Sequence, residues 1–326
     1  MDIGRLIRGA LAASLGVAAL LSGTAALAAW PERPVRIVVG FAPGGAADVA
    51  ARIVAEGLQR KYGQPVTVEN KAGAGGRLAT EFVTKAEPDG YTLGLVVGGD
   101  TVVAASDPRL PYQLARDLQF VTTFSVYPFV IVAAPESPVQ GVPQMIARAK
   151  QGPGTVRYAT PGRGSTQHLA GELIAALGGV EMTDVPYRGT SAAMTDVLTG
   201  RVDFTISALS TVRGEIQAGK LKALAVTSKE RHAALPNVPS VAETVPGYDV
   251  TTWMGLAAPA RTPAAVVDQL NRDIRELLAQ AAIRERFQSL GLEPQTSSGS
   301  EMKGRVESDV ARWKQLMTSR KIDLTQ

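Results

Sequence analysis

The sequence predicts an α/β fold of two lobes, each a mostly parallel sheet flanked by helices, joined by a two-strand hinge. Three observations predict it. Short β-rich runs alternate with helical patterns through most of the 326 residues, the pattern of parallel sheets with crossover helices. Once an N-terminal leader is set aside, roughly 300 residues exceed what one ordinary core holds. Two apolar, extended, proline-bounded runs, 126–135 (VYPFVIVAAP) and 251–259 (TTWMGLAAP), have the character of an outward crossing and a return crossing between lobes.

The leader is residues 1–28. Arg5 and Arg8 form a positive start, 9–21 are almost wholly Ala, Leu, Val and Gly, and Ala26-Leu27-Ala28 is a small-x-small cleavage site. The apolar stretch is shorter than the ~20 residues a spanning helix needs. This reads as a cleaved signal peptide, with the mature chain starting at Ala29 or Trp30 and exported.

After it, Val35–Val39 reads as the first strand and 46–61 as a helix with Val49, Ile53 and Leu58 on its buried stripe. Pro65–Glu69 is a second strand, followed by a glycine-rich loop at 70–76 and a helix at 77–86. The turn PDGY (88–91) precedes a third strand, Thr92–Val97, which runs into a loop at Gly98-Gly99-Asp100-Thr101. Three strands thus end in glycine-rich loops on one sheet edge, the carboxyl edge where open α/β sheets bind ligands. Beyond 126–135 come a helix at 143–151, a strand at 155–160, a helix at 166–177, a strand near Val185, a helix at 190–198 and strands at 202–206 and 221–227. Helices at 263–280, 281–290 and 299–320 follow the return crossing, with Val266, Val267, Leu270, Ile274, Leu277 and Leu278 at helical spacing. The crossings divide the chain into a first lobe of 29–128 plus 254–326 and a second of 129–253.

Composition narrows the chemistry. With no cysteine, disulfides, thiol catalysis and thiolate metal sites are excluded. The net charge of +4, from 34 basic and 30 acidic residues, is mild, and the Lys and Arg residues form no run, so nucleic acid is not an expected partner. FAPGGAAD (41–48) lacks the spacing of a dinucleotide fingerprint, and no H-E-x-x-H or clustered acidic pattern marks a metal site. No cofactor is expected.

Two segments carry binding chemistry. VRIVVGFAPGGAADV (35–49) runs from strand through Pro43-Gly44-Gly45 into a helix at Asp48, so that backbone N–H groups converge on the turn as an anion cradle. TVRYATPGRGSTQHLAGELI (155–174) repeats the logic, with Gly162 and Gly164 in the turn and Ser165-Thr166 in capping position. Two cradles in one exported chain suggest a clamp on a small anion. Ser165 and His168 do not read as a nucleophile–base pair, because i and i+3 on one helical turn do not aim at each other and no G-x-S-x-G elbow is present. Ser165 and Thr166 are expected to cap the helix and donate to a carboxylate, with His168 orienting the loop or reaching the ligand.

Beyond these segments, VENKAGAGG (68–76), PDGYTL (88–93), VPYRGTSAAMTDVLTGRVD (185–203), LKALAVTSKERHAALPNVPSVAE (221–243), WMGLAAPARTP (253–263) and RWKQL (312–316) follow in an order that resembles the substrate-binding proteins of tripartite tricarboxylate transporters, the Bug family. The resemblance covers nearly the whole mature chain. It implies a periplasmic, monomeric, non-catalytic receptor of the type II binding-protein kind that closes on a small organic acid and delivers it to integral-membrane permease subunits, or serves a signalling partner. Carried over residue by residue, the family's ligand loops fall on Phe41, Ala42, Gly44, Gly45 and Asp48; on Gly99, Asp100 and Thr101; on Gly164, Ser165, Thr166 and His168; and on Tyr187, Arg188, Gly189 and Thr190. Trp253 is expected either to wall the cleft or to anchor the hinge. Asp48 reads first as a helix cap, Arg188 as a carboxylate clamp or a solvated loop residue. Asp100 departs from the small hydroxyl residues of the family and implies either repulsion of an anion or a hold on an ammonium group.

Overall fold

The first strand, β1 (Val35–Val39), is buried along nearly its whole length, as a run of valines and isoleucine requires of a central parallel strand. In the computed structural model, which describes residues 30–187 and 190–322, β1 pairs in parallel with β2 (Val66–Asn70) on one side and β3 (Thr92–Val97) on the other. The predicted leader, Arg188 and Gly189 lie outside the described residues. Helix α1 (Ala46–Tyr62) makes the crossover from β1 to β2, and α2 (Arg77–Thr84) the one from β2 to β3. Helix α3 (Gly98–Ser106) and one turn, α4 (Leu114–Asp117), lead into the 16-residue strand β4 (Leu118–Ala133).

Strand β4 is shared by two sheets. Its residues Leu118–Pro128 pair antiparallel with β9 (Thr251–Pro259), which itself lies antiparallel against β3 and completes the order β2-β1-β3-β9-β4. From Phe129 onward its partners change to β7 (Phe204–Ala208) and β8 (Lys222–Val226). In the second sheet β5 (Arg157–Thr160) lies parallel to both β6 (Thr183–Pro186) and β7. The chain returns beside the crossing: the Val250 N–H donates to the Thr227 carbonyl at 2.8 Å, and the Thr227 hydroxyl donates to the Val250 carbonyl at 2.7 Å. Two adjacent segments, at 128–129 and 250–251, therefore join two mostly parallel sheets, the predicted hinge.

Helices α5 (Val142–Ala149), α6 (Thr166–Gly178), α7 (Thr190–Leu198) and α8 (Leu209–Gln217) flank the second sheet, while α9 (Ala264–Ala279), α10 (Ala281–Ser289) and α11 (Gly299–Arg320) return to the first. A Cβ at Gly57 would lie 2.3 Å from Leu277, so glycine is what lets α1 settle on α9. The short β10 (Glu293–Pro294) pairs with β4 at Ser125–Val126. Among the described residues no helix is long and apolar enough to cross a membrane.

Three expectations need correction. The segment 98–101 is not a loop but the start of α3. The crossing strand begins at Leu118 rather than at 126, because Thr122, Thr123 and Ser125 are buried despite their polarity. Helix α8 occupies 209–217, where no helix is expected.

Candidate functional site

At the end of β1 the chain turns through Gly44, whose φ of +84° suits glycine, to Gly45, the extended N-cap of α1 (φ −75°, ψ 166°). No atom lies within 4 Å of where a Gly44 Cβ would stand, so the turn opens onto free space. Behind it sits Asp48, 2% exposed. Its carboxylate accepts from the Gly44 N–H (2.9 Å), Asn70 Nδ2 (2.9 Å) and Arg52 Nε (3.0 Å), and Asn70 Nδ2 also reaches the Phe41 carbonyl at 2.9 Å. Burial alone would raise the Asp48 pKa; these donors outweigh it and hold the carboxyl below its ordinary value. Asp48 is thus a fixed anion that braces the turn one residue ahead of the N-cap; contrary to expectation, it does not cap the helix itself.

The neighbouring loops are held against this turn by glycine. A Cβ at Gly40 would lie 2.7 Å from the Gly76 Cα, and one at Gly76 (φ +100°) would lie 3.6 Å from Phe41 and 3.0 Å from Asp100 Oδ1. Phe41, the β2–α2 loop and the start of α3 therefore form one cluster at the carboxyl edge of the first sheet.

Asp100 does not enter the cleft with its side chain. Its carboxylate, 2% exposed, accepts from the Val97 N–H at 2.8 Å and the Thr80 hydroxyl at 3.0 Å, closing the N-terminus of its own helix. Burial pushes its pKa up to about 6 against the pull of those two donors. The expected contact with a ligand amine or anion is corrected accordingly: residue 100 is a buried cap. Thr101, fully buried, donates to the Gly98 carbonyl at 2.6 Å. Gly99 is the member of this group at the interface, since a Cβ there would lie 3.7 Å from Thr166 Oγ1, at the start of the helix α6 that flanks the second sheet.

That hydroxyl belongs to the second turn. Gly162 (φ +142°) and Gly164 (φ +78°) carry the chain from β5 to Ser165, the N-cap of α6. Ser165 Oγ accepts the His168 N–H at 3.2 Å and donates to the Gly162 carbonyl at 2.7 Å, so its hydroxyl is engaged in the cap. His168, 3% exposed, points its Nδ1 back to accept the Gly164 N–H at 3.4 Å. Burial depresses its pKa; Asp184, 3.9 Å from Nε2, opposes this, and Arg163 adds to it. The imidazole is not directed at the Ser165 hydroxyl as a general base must be.

Tyr187 is half-buried and its hydroxyl donates to Asp196 at 2.6 Å, bracing the loop before α7. Arg188 and Gly189 lie outside the described residues, and of Thr190 only its place at the start of α7 is described. Trp253 is corrected as a cleft wall: it is 0% exposed, packs with Phe120, Met302 and Val306, and donates Nε1 to Asp309 of α11 at 2.8 Å. It anchors the return strand. Sequence reasoning missed Asn70 and Asp184, whose partners lie far away in sequence, and Arg52, whose i, i+4 spacing from Asp48 on α1 is a signal that could have found it. A groove of about 500 Å³ lined by Arg33, Arg36, Phe82 and Tyr91 lies at the amino ends of β1 and β3, the opposite edge from these turns.

The chemistry of the cleft follows from its helix starts. The first N–H groups of α1 and α6 have no acceptor within their helices, and the helix dipoles add partial positive charge, so these two starts favour an anion, whereas the start of α3 already holds the Asp100 carboxylate.

Residues 50–322 match the family model described as the tripartite tricarboxylate transporter family receptor. The chain belongs to this family. It is 34% identical to the protein BugT of Bordetella pertussis over 318 residues, covering 96% of each chain. Among solved structures, Rpa4515 of R. palustris with adipate shares 33% identity at a TM-score of 0.84, covering 90% of this chain and 99% of that one. MatC of Rhodopseudomonas palustris with bound malate shares 30% identity at a TM-score of 0.80, covering 88% of this chain and 99% of that one. The fold expected from the resemblance, a two-lobe α/β receptor, is the fold found.

Proposed function

We propose that this receptor captures a small aliphatic carboxylate in the cleft between the turns at 41–45 and 162–166, and passes it to the membrane subunits of a tripartite transporter. The observation that carries the reading is the pair of similarly built helix N-termini, one beside each sheet, with the start of α3, which clusters with the first turn, meeting the start of α6 at Gly99 and Thr166. The adipate and malate of the two structural relatives support the ligand class. The lobes follow the expected division, 29–128 with 254–326 and 129–253, the change of β4 partners after Pro128 supporting the first boundary, while the pairing of Thr251–Trp253 with Val126–Pro128 favours a return boundary at 250–251. Donor groups on both lobes gain their acceptor only when the cleft closes, which gives the ligand its differential affinity for the closed form.

The protein acts as an exported monomer in the periplasm after removal of residues 1–28, and it binds without catalysis, consistent with a Ser165 hydroxyl committed to its helix cap. Thermal shift of the mature protein against malate, adipate, tricarballylate and acidic amino acids tests this reading. Stabilisation that rises with ligand concentration is expected for one acid class; no shift with any of them contradicts it.

A further inference from the structure

We propose that Asp48 and His168 are positioning residues of one turn used twice, and that the imidazole in the second copy makes ligand capture fail on acidification. The inference rests on the carboxylate-receptor reading above and concerns how that site is regulated.

The two turns correspond residue by residue. Gly44 and Gly164 take φ +84° and +78°. The N-caps that follow, Gly45 and Ser165, take φ, ψ of −75°, 166° and −74°, 156°. Three residues into each helix stands a side chain at most 3% exposed, Asp48 or His168, that accepts the N–H of the glycine before the cap, at 2.9 Å and 3.4 Å. In both copies the glycine N–H is withdrawn from the ligand, and the tie fixes the direction in which the following N–H groups point. The donors left for a carboxylate are those of Gly45, Ala46 and Ala47 in one turn and of Thr166 and Gln167 in the other.

The acceptors differ in one respect. The Asp48 carboxylate, bonded to Arg52 and Asn70, stays ionised through the physiological range. The imidazole Nδ1 accepts only while neutral, and protonation turns it into a donor facing another donor. The groups around it are Asp184 of β6, 3.9 Å from Nε2, and Arg163 of the turn, which holds Asp184 at 2.9 Å. Tyr158 of β5 donates to the His168 carbonyl at 3.2 Å and to Glu172, on the same helix, at 3.1 Å. Arg163 already engages Asp184, so this carboxylate is not free to pair fully with an imidazolium. Because the ligand-ready turn needs the neutral ring, the bound state holds fewer protons than the free state, and affinity falls as pH drops below the histidine range.

Two measurements on the full mature chain test this. In the free protein, ¹⁵N NMR is expected to show an unprotonated His168 Nδ1 at pH 8 and a Gly164 amide that titrates with the same midpoint. A protonated Nδ1 at pH 8, or a Gly164 amide indifferent to that titration, overturns the proposal. In calorimetric titrations with L-malate and adipate from pH 8 to 5.5, wild-type affinity is expected to fall progressively at the acid end, with a slope that steepens as pH drops and stays below tenfold per pH unit, the limit for one linked proton. His168→Asn, which keeps an acceptor that does not titrate, is expected to bind several-fold more weakly at pH 8 and to lose this slope; a wild-type slope in His168→Asn overturns the proposal, the ligands' own titration being common to both proteins. Failure of both acids to bind at pH 8 counts against the ligand class alone, and the NMR arm then decides the present inference.

Discussion

Replacing Trp253 by phenylalanine separates the framework of the receptor from its cleft. The indole is fully buried, Arg305 lies 6.0 Å above its ring, and Nε1 donates to the Asp309 carboxylate at 2.8 Å. A hydrogen bond to a charged partner is worth about 1.5–3 kcal/mol. Asp309 keeps Arg312 at 3.3 Å, which places the loss near the lower end of that range. Removing the fused ring adds about 1–2 kcal/mol for two buried CH₂ equivalents. Together Trp253→Phe is expected to cost about 3 kcal/mol, or roughly 5 °C in melting temperature for a chain of this size. The carboxylate Kd is expected to stay within twofold of wild type, measured by calorimetry well below the melting transition. A melting temperature within 1–2 °C of wild type together with a Kd raised more than tenfold would refute the reasoning, because it would place the indole against the ligand.

Other substitutions are read together with this one. Gly45→Val occupies an ordinary extended conformation, and a Cβ there meets nothing closer than the Ala42 carbonyl at 3.7 Å; melting is expected to change by no more than 1–2 °C while carboxylate affinity falls at least tenfold, as calorimetry will read. Asp48→Ala removes the common acceptor of Gly44, Asn70 and Arg52, and a loss of about 2–4 kcal/mol in urea unfolding is expected from a buried charged network. Asp100 binds its proton more tightly when folded, with a pKa of about 6 against an ordinary 3.8. The folded state therefore holds more protons than the unfolded one between about pH 4 and 6, and this residue's contribution falls as pH rises through that window. Asp100→Asn is expected to remove that fall, raising the urea midpoint at pH 7 relative to the one at pH 4.5; an unchanged difference between them contradicts the assignment.

Both turns were legible because glycine and its neighbours encode them locally: Gly44 and Gly164 need left-handed backbone, and Ser165 is a conventional N-cap. The two-lobe architecture was legible in the chain length, the strand–helix alternation and the proline-bounded runs 126–135 and 251–259, and the family resemblance added the organic-acid ligand class. What the chain hid depends on partners far away in sequence. Residues 118–125 carry the polar Thr122, Thr123 and Ser125 into a buried strand, where Thr122 donates to the Ser297 carbonyl at 2.7 Å and the Thr123 N–H to the Ser297 hydroxyl at 3.1 Å. Helix α3 was masked by its Gly98-Gly99 start, although Asp100, three residues after Val97, is a capping signal that could have exposed it. The fate of Trp253 turned on Asp309, 56 residues on, a pairing no local pattern announces.

The central claim is that the turns at 41–45 and 162–166 close on a carboxylate through backbone N–H groups. A crystal structure of the mature protein with the acid that stabilises it most tests this directly. The account predicts carboxylate oxygens within hydrogen-bond distance, directly or through one water, of N–H groups at Gly45–Ala47 and at Thr166–Gln167, with Asp100 and Trp253 out of contact. An acid bound instead in the groove between Arg33, Arg36 and Phe82, with both turns empty, would contradict it.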